Sequence, residues 1–488
     1  MPRPRDYHRV AYNGVPLFFR AIILPAAIVS VALVSAGGAQ PAALVLRGAT
    51  LIDGTDRPPL ANATVVLTKG WITAVGAGTE VAIPRGARVV DLAGKFLLPG
   101  FIEMHGHLAI AAWEIDSSGP QRVLRYPYDE VATQELTRSQ LAFGITTVRN
   151  PAAPTKEGVS LRDRVRRGEL VGPRIFTSGA PLDRAPGNAA VDRVTTEAEV
   201  RAAVARQAAA GVDLIKLYST LDSALTKAGI DEAHRLGLPA VAHLWLTSWT
   251  DAANARIDGI THIIVSNQNL LPEPRRAEYQ KSIRGGQFMY DWFKHADFDG
   301  PEIRSMIDAV VRNRLTIDPT LVAFEWTVWQ DDSTFYPEES NRYVPPTFAA
   351  KMAAFMRLGR WSDEDRASAR AQIPRMQELA RRLYQAGVPL TVGTDAANPW
   401  TYHRELELLA GAGIPNAEVL KMATRNAAIS LRRTSEFGTV EPGKRADLVV
   451  LDADPIADIK NTRRIGWVIQ DGRMARPQDY LPERLRGR

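Results

Sequence analysis

The amino-acid sequence predicts an α/β protein: a (β/α)8 TIM barrel with a small β-sandwich domain built from both ends of the mature chain. Three observations predict it. Between Phe101 and Ser430, short apolar runs alternate with helical, alanine- and arginine-rich stretches such as EAEVRAAVARQAAAG and DSALTKAGIDEAHRLG, the rhythm of a parallel sheet with helical crossovers. Eight of those runs qualify as strands, the number a closed barrel needs, and about 330 residues suffice for a barrel with inserted loops. Alternating, β-rich segments punctuated by glycine and proline precede this middle, from Ala42 to Leu98, and return only after it, in RADLVVLDADP and RRIGWVIQDGR. Two sequence-distant β segments around one α/β middle imply a single sandwich assembled from both termini.

In chain order, the first segment reads as an address. A basic stretch ending at Arg20 leads into an apolar run, Ala21 to Val34, and then small residues from Ser35 to Ala39. That order is the pattern of a cleavable signal peptide. The run is shorter than the roughly 20 residues a bilayer span takes, and Pro25 interrupts it. The expectation is export to the periplasm or beyond, with an uncleaved N-terminal membrane anchor as the alternative. The expected organisation is therefore a signal peptide over 1–39, the N-terminal half of the sandwich over 40–98, the barrel over 99–431, and the rest of the sandwich over 432–488.

The barrel strands follow as FIEMH, GITTVR (144–149), RIFTSG (174–179), VDLIK (212–216), PAVAH (239–243), GITHI (259–263), RLTIDP (314–319) and PLTVGTD (389–395). Several end in a residue able to bind a metal. His105 and His107 close the first, Lys216 closes VDLIK, His243 closes PAVAH, His262 lies at the end of GITH, and Asp395 closes LTVGTD. The carboxyl ends of barrel strands meet at one rim, where such folds build their sites. The spacings agree, since 27 residues separate Lys216 from His243 and 19 separate His243 from His262, each enough for a helix and the next strand. His105 and His107, two apart on a strand, point to the same side, and Gly106 between them leaves room.

Composition narrows the chemistry. The 488 residues contain no cysteine, so thiolate metal sites and cysteine nucleophiles are excluded, and only eight histidines are available as ligands. The formal charge is +6, but Arg3, Arg5, Arg9 and Arg20 against Asp6 place half of it in the signal segment. The remaining excess is too small to argue for nucleic acid or an anionic membrane as partner; the expected partner is a small-molecule substrate, with homo-oligomerisation left open. Taken singly, His243 or His262 reads equally as a hydrogen-bonded core histidine, and Asp395 as a helix N-cap. Lys216 is harder to explain so simply, because a lysine closing a buried strand places an ammonium there without an evident acidic partner. A carboxylated lysine removes that difficulty and supplies an anionic ligand.

These residues resemble the amidohydrolase superfamily, in its imidazolonepropionase-like and prolidase-like branch with a two-metal site. The resemblance runs through LTKGWITAVG, LPGFIEMHGH, GVDLIKLY, AVAHLW, GITHI, VGTDA, HRELELL, MATRNAA and GTVEPGKRADLVVLDADP, and covers nearly the whole mature chain. It implies two divalent ions, zinc foremost, with manganese and cobalt also suited to the ligand set. His105, His107 and Asp395 are implied to hold one ion and His243 and His262 the other, with N6-carboxylated Lys216 bridging them. It also implies hydrolysis of a carbon–nitrogen bond in an amide, peptide-like or cyclic amide by a metal-bridging hydroxide, with Asp395 as the catalytic acid–base. Glu103 departs from the family's usual Asp before the paired histidines and is expected to leave the ligand set untouched. Leu244 and Trp245 after His243 depart from the Ala-Tyr of prolidase-like relatives and weigh against a peptidase.

Candidate substrate contacts are Tyr218, His403, Trp245 and Arg149. Tyr290, Trp292 and Phe293 in one insertion, and Phe324, Trp326, Trp329, Phe335 and Tyr336 in the next, read either as pocket wall or as packing of the insertions. Competing readings are hydrolysis of a lactone, carbamate or phosphotriester on the same metal pair, a one-metal deaminase that has no need of Lys216, and, more remotely, a non-catalytic binding protein.

Overall fold

The computed structural model of the chain describes residues 43–486 apart from 111–113, 117–122, 126–127, 186–190, 284–286, 330–331, 333–337 and 347–360. The expected signal segment 1–39, together with Phe335 and Tyr336, lies outside the described residues.

Seven of the eight nominated barrel runs contain strands: Phe101–Glu103, Ile145–Asn150, Arg174–Thr177, Ile215–Leu217, Ala240–Ala242, Gly259–Thr261 and Thr316–Asp318. The eighth differs from the expectation of a strand over 389–395. It is an extended run joined to its neighbours by isolated bridges and two backbone hydrogen bonds on each side: Ile317 N–H donates to the Pro389 carbonyl at 3.3 Å and Thr391 N–H to the Ile317 carbonyl at 2.9 Å, while Met104 N–H donates to the Val392 carbonyl at 2.8 Å and Asp395 N–H to the His105 carbonyl at 2.9 Å. The reason lies at its end, where Asp395 turns to φ +53° and regular pairing stops.

All ladders between consecutive barrel strands are parallel. Arg174–Thr177 lies beside Ile145–Asn150, which lies beside Phe101–Glu103; separately, the ladder runs from Ile215–Leu217 through Ala240–Ala242 and Gly259–Thr261 to Thr316–Asp318. Asp213 N–H donates to the Thr177 carbonyl at 2.8 Å, linking the two groups on one side as the 389–395 run does on the other. The result is a TIM-barrel-like α/β fold. Its strands read as nearly unbroken apolar runs because parallel strands are covered on both faces.

Helices follow the strands for local reasons. Glu197–Ala209 starts at a capping box in which Thr196 and Glu199 satisfy each other's backbone N–H groups. Ile373–Gln385 buries Ile373, Met376, Leu379, Ala380 and Leu383, the i, i+3, i+4 spacing of a single apolar face.

The β-rich ends of the chain meet in one hydrogen-bonded sheet of eight strands, in which Leu448–Leu451 lies antiparallel to Phe96–Pro99. Side chains on this central strand alternate. Leu448 and Val450 join the sheet's own core with Leu46, Val65, Leu67 and Ile72, while Val449 and Leu451 join the barrel core. A period of two on a strand covered on both faces accounts for the run LVVL.

Gly144 sits at this junction with φ +75°, and a Cβ there would lie 3.0 Å from Phe101, 3.1 Å from Val449 and 3.3 Å from Ile465. Gly144→Ala therefore combines left-handed strain with overpacking. The expected loss is about 2–4 kcal/mol of stability, seen as a lower urea midpoint; an unchanged midpoint would show that the junction yields freely.

Candidate metal centre

The residues singled out at the strand ends come together. His105 and His107 follow Phe101–Glu103, Lys216 lies within Ile215–Leu217, His243 follows Ala240–Ala242, and His262 follows Gly259–Thr261. Backbone hydrogen bonds from neighbouring strands hold them in place: His243 N–H donates to the Leu217 carbonyl at 3.1 Å, His262 N–H to that of Asp318 at 2.8 Å, and Asp395 N–H to that of His105 at 2.9 Å.

His105, His107 and Asp395 offer ligand atoms that all lie within 4.8 Å of one another. Nε2 of His107 is 2.7 Å, and Nε2 of His105 3.3 Å, from Oδ1 of Asp395. The His262 ring centre lies 4.7 Å from that of His105 and 4.5 Å from that of His243, so the two histidine pairs share one cluster. Nδ1 of His262 lies 3.9 Å from Oδ2 of Asp395. Asp395 is not the N-cap of the next helix, Trp400–Gly411, which starts after Pro399.

Burial sets the charge states. It pushes the imidazoles of His105 and His262 well below the usual histidine range and that of His243 down to about 3. Those rings are neutral at pH 7, as metal ligation requires. Burial likewise pushes the Lys216 ammonium down to about 7, and its Nζ donates to Thr261 Oγ1 at 2.6 Å. For Asp395 burial acts upward, but the two histidines and Lys216 outweigh it and hold the carboxyl at about 2.

The donor set fits a divalent ion. Imidazole nitrogens and a carboxylate converge, and Nδ1 of His243, a buried polar atom, has no hydrogen-bond partner among the described residues. A buried ring nitrogen left without a partner is costly. Coordination would satisfy it.

Supporting groups went unrecognised at the sequence level. Asp318, at the end of Thr316–Asp318, places Oδ2 2.8 Å from Nδ1 of His105 and receives a 2.5 Å hydrogen bond from Arg149 Nη2 on Oδ1. Thr320, at φ +50°, holds Nδ1 of His262 through its hydroxyl at 2.8 Å. Glu103, expected to leave the ligand set untouched, is not among the clustered ligand atoms; it accepts the backbone N–H groups of His105 at 2.6 Å and Thr394 at 3.0 Å. Burial pushes its carboxyl up to about 8. The signal available for Asp318 was the one that singled out the histidines, a polar residue at the end of an apolar run.

Two of the expected substrate contacts are engaged within the fold. His403 is buried, with Nδ1 3.0 Å from Thr462 Oγ1 and Nε2 3.2 Å from the Phe143 carbonyl. It ties helix Trp400–Gly411 to the segment before the sheet. Arg149 is buried too, donating to the Met104 carbonyl at 2.6 Å as well as to Asp318. Tyr218 stays beside the cluster, its ring centre 4.9 Å from that of His243, and Trp245 stacks on Phe288 at 4.9 Å.

The insertion aromatics divide. Tyr290, Trp292 and Phe293 are buried within the insertion, Trp292 donating to the Asn267 carbonyl and Tyr290 to that of Phe324. Phe324 presents its edge to His262, with ring centres 6.1 Å apart. For His403→Phe, the expected result is a loss of about 1–3 kcal/mol of stability from the broken hydrogen bonds with bound metal unchanged. Loss of metal at retained stability would return His403 to the site.

Residues 96–473 match the Amidohydrolase family. The chain is 44% identical over 80 residues to the imidazolonepropionase of Caldanaerobacter subterraneus subsp. tengcongensis, a stretch covering 15% of this chain and 19% of that protein. It therefore spans about a fifth of the length of the curated relatives it matches first. In fold it is similar to a Xaa-Pro dipeptidase with bound methionine in the active site, at a TM-score of 0.65 and 22% identity, covering 89% of this chain and all of that one. It is also similar to bottromycin amidohydrolase, at a TM-score of 0.66 and 21% identity over 91% of this chain and 89% of that one. The family match extends across the barrel and into both halves of the sheet, so the chain belongs to the Amidohydrolase family.

Proposed function

We propose that this protein is a two-metal hydrolase that cleaves a carbon–nitrogen bond in an amide, peptide-like or cyclic amide. The observation that carries this reading is the convergence of four histidines, Lys216 and Asp395 from four strands and the 389–395 run. Family membership and the amide-hydrolysing names of its structural neighbours support the bond type. In this reading the parallel strands form a closed (β/α)8 barrel, the terminal segments form a β-sandwich, and the first 39 residues direct export before cleavage.

His105, His107 and Asp395 would hold one ion, His243 and His262 the other, and carboxylated Lys216 would join them. Lys216 suits that role because burial brings it toward the neutral amine, the form that combines with carbon dioxide. Bound divalent ions would depress the pKa of water from 15.7 towards about 7 and polarise a carbonyl. The chain's own residues do the rest. Asp395, a third exposed and held as a carboxylate, is placed to accept a proton and return it to the departing amine. Tyr218, whose ring packs against that of His243, would touch the substrate, as would Trp245, which stacks on Phe288.

Two experiments test the reading. Metal analysis of the purified protein is expected to give two ions per chain, falling to one or none in Lys216→Ala; an unchanged count in that variant contradicts the bridging role. In a panel of N-acyl amino acids, dipeptides, cyclic amides and lactones, turnover of C–N substrates is expected, lost on chelation and restored by metal. Asp395→Asn is expected to lower kcat by at least about 100-fold. Turnover confined to the lactones would replace amide hydrolysis with ester chemistry.

A further inference from the structure

Asp318 stands between two of the candidate ligands. Its carboxylate meets Nδ1 of His105 at 2.8 Å, and its main-chain carbonyl accepts the N–H of His262 at 2.8 Å. The other carboxylate oxygen is held by Arg149, whose Nε is itself anchored on the Met104 carbonyl. All these side chains are buried, Asp318 and Arg149 each at 2% exposure. The packing leaves no slack, since a Cβ on Gly393 would lie 2.8 Å from that of His105 and 3.1 Å from that of Asp318.

The chemistry follows from the partners. A carboxylate fixed by a guanidinium can only accept, so the proton between the two residues sits on Nδ1 of His105. That leaves the lone pair on Nε2, the atom facing Oδ1 of Asp395 at 3.3 Å. His107 has no such partner, its Nδ1 being unsatisfied among the described residues, and His262 has only the neutral hydroxyl of Thr320. Among the four histidines, His105 alone has a hydrogen-bonded carboxylate behind it in the described structure.

We propose that Asp318, locked by Arg149, is the positioning residue that sets the tautomer and orientation of His105 and thereby the affinity of the His105–His107–Asp395 site for a divalent ion. This rests on the metal-centre reading above. A carboxylate behind a ligating imidazole raises its basicity and restricts its rotation, and losing such a partner typically weakens metal binding by about 10–100-fold.

The test is zinc binding by the full-length chain, stripped of metal and titrated with Zn2+ against a chromophoric chelator. Six forms are compared: native, His105→Ala, Asp318→Asn with and without His105→Ala, and the pair Arg149→Met, Asp318→Asn with and without His105→Ala. That pair removes both charges together, so that no unpaired guanidinium is left buried if Asp318→Asn alone fails to fold. Thermal midpoints of the metal-free forms report the fold separately. Asp318→Asn, or the charge-free pair in its place, is expected to weaken one zinc site by about 10–100-fold and to have no further effect once His105 is alanine. A general loss of structure would not spare the His105→Ala background. A change under about threefold in the native background, or an equal change with and without His105, overturns the positioning role while leaving the metal centre standing. A native chain that takes up no zinc overturns the metal-centre reading itself.

Discussion

One buried carboxyl group ties the site together. Glu103 accepts the N–H of His105 from its own strand and the N–H of Thr394 from the last extended run, both on the same oxygen. The first and last runs of the barrel are thereby joined at the level where His105, His107 and Asp395 leave the sheet. A carboxyl at this depth has lost its water and persists only with such donors. Glu405 acts in a parallel way farther from the cluster, accepting the N–H groups of Leu321 and Val322 and so fixing the turn that carries Thr320.

Three of the ten non-glycine residues with positive φ among the described residues lie at the same place. His262, Thr320 and Asp395 all have positive φ, at 70°, 50° and 53°. Such angles cost of order 1–3 kcal/mol each in residues other than glycine and persist where the surroundings over-determine them. Here the determinants are visible: neighbouring strands hold the N–H groups of His262 and Asp395, and the Thr320 hydroxyl is engaged by His262. Strand ends that would otherwise continue straight are turned, and the candidate ligands turn with them.

Much of this was legible in the sequence because barrel geometry converts position along the chain into position in space. His105, His107, Lys216, His243, His262 and Asp395 each close an apolar run, and parallel strands bring such residues to one rim. The sheet shared by both termini was legible from its alternation. What sequence could not supply was direction. Arg149 closes an apolar run like the histidines, yet its guanidinium is held by Asp318 and the Met104 carbonyl. His403 was a candidate substrate contact by its resemblance to a family histidine, but Thr462, 59 residues further on, engages its ring. Glu103 appeared a conservative change until its backbone partners were known, and the more distant of them, Thr394, comes from 291 residues away.

The central claim is that one cluster of side chains holds two ions close enough to share a water. X-ray absorption fine structure of the zinc-loaded protein measures this directly. The account expects a shell of imidazole nitrogens and carboxylate oxygens together with a metal–metal distance of about 3.5–4 Å. A ligand shell with no second metal within that range, in protein carrying two zinc ions per chain, would contradict it.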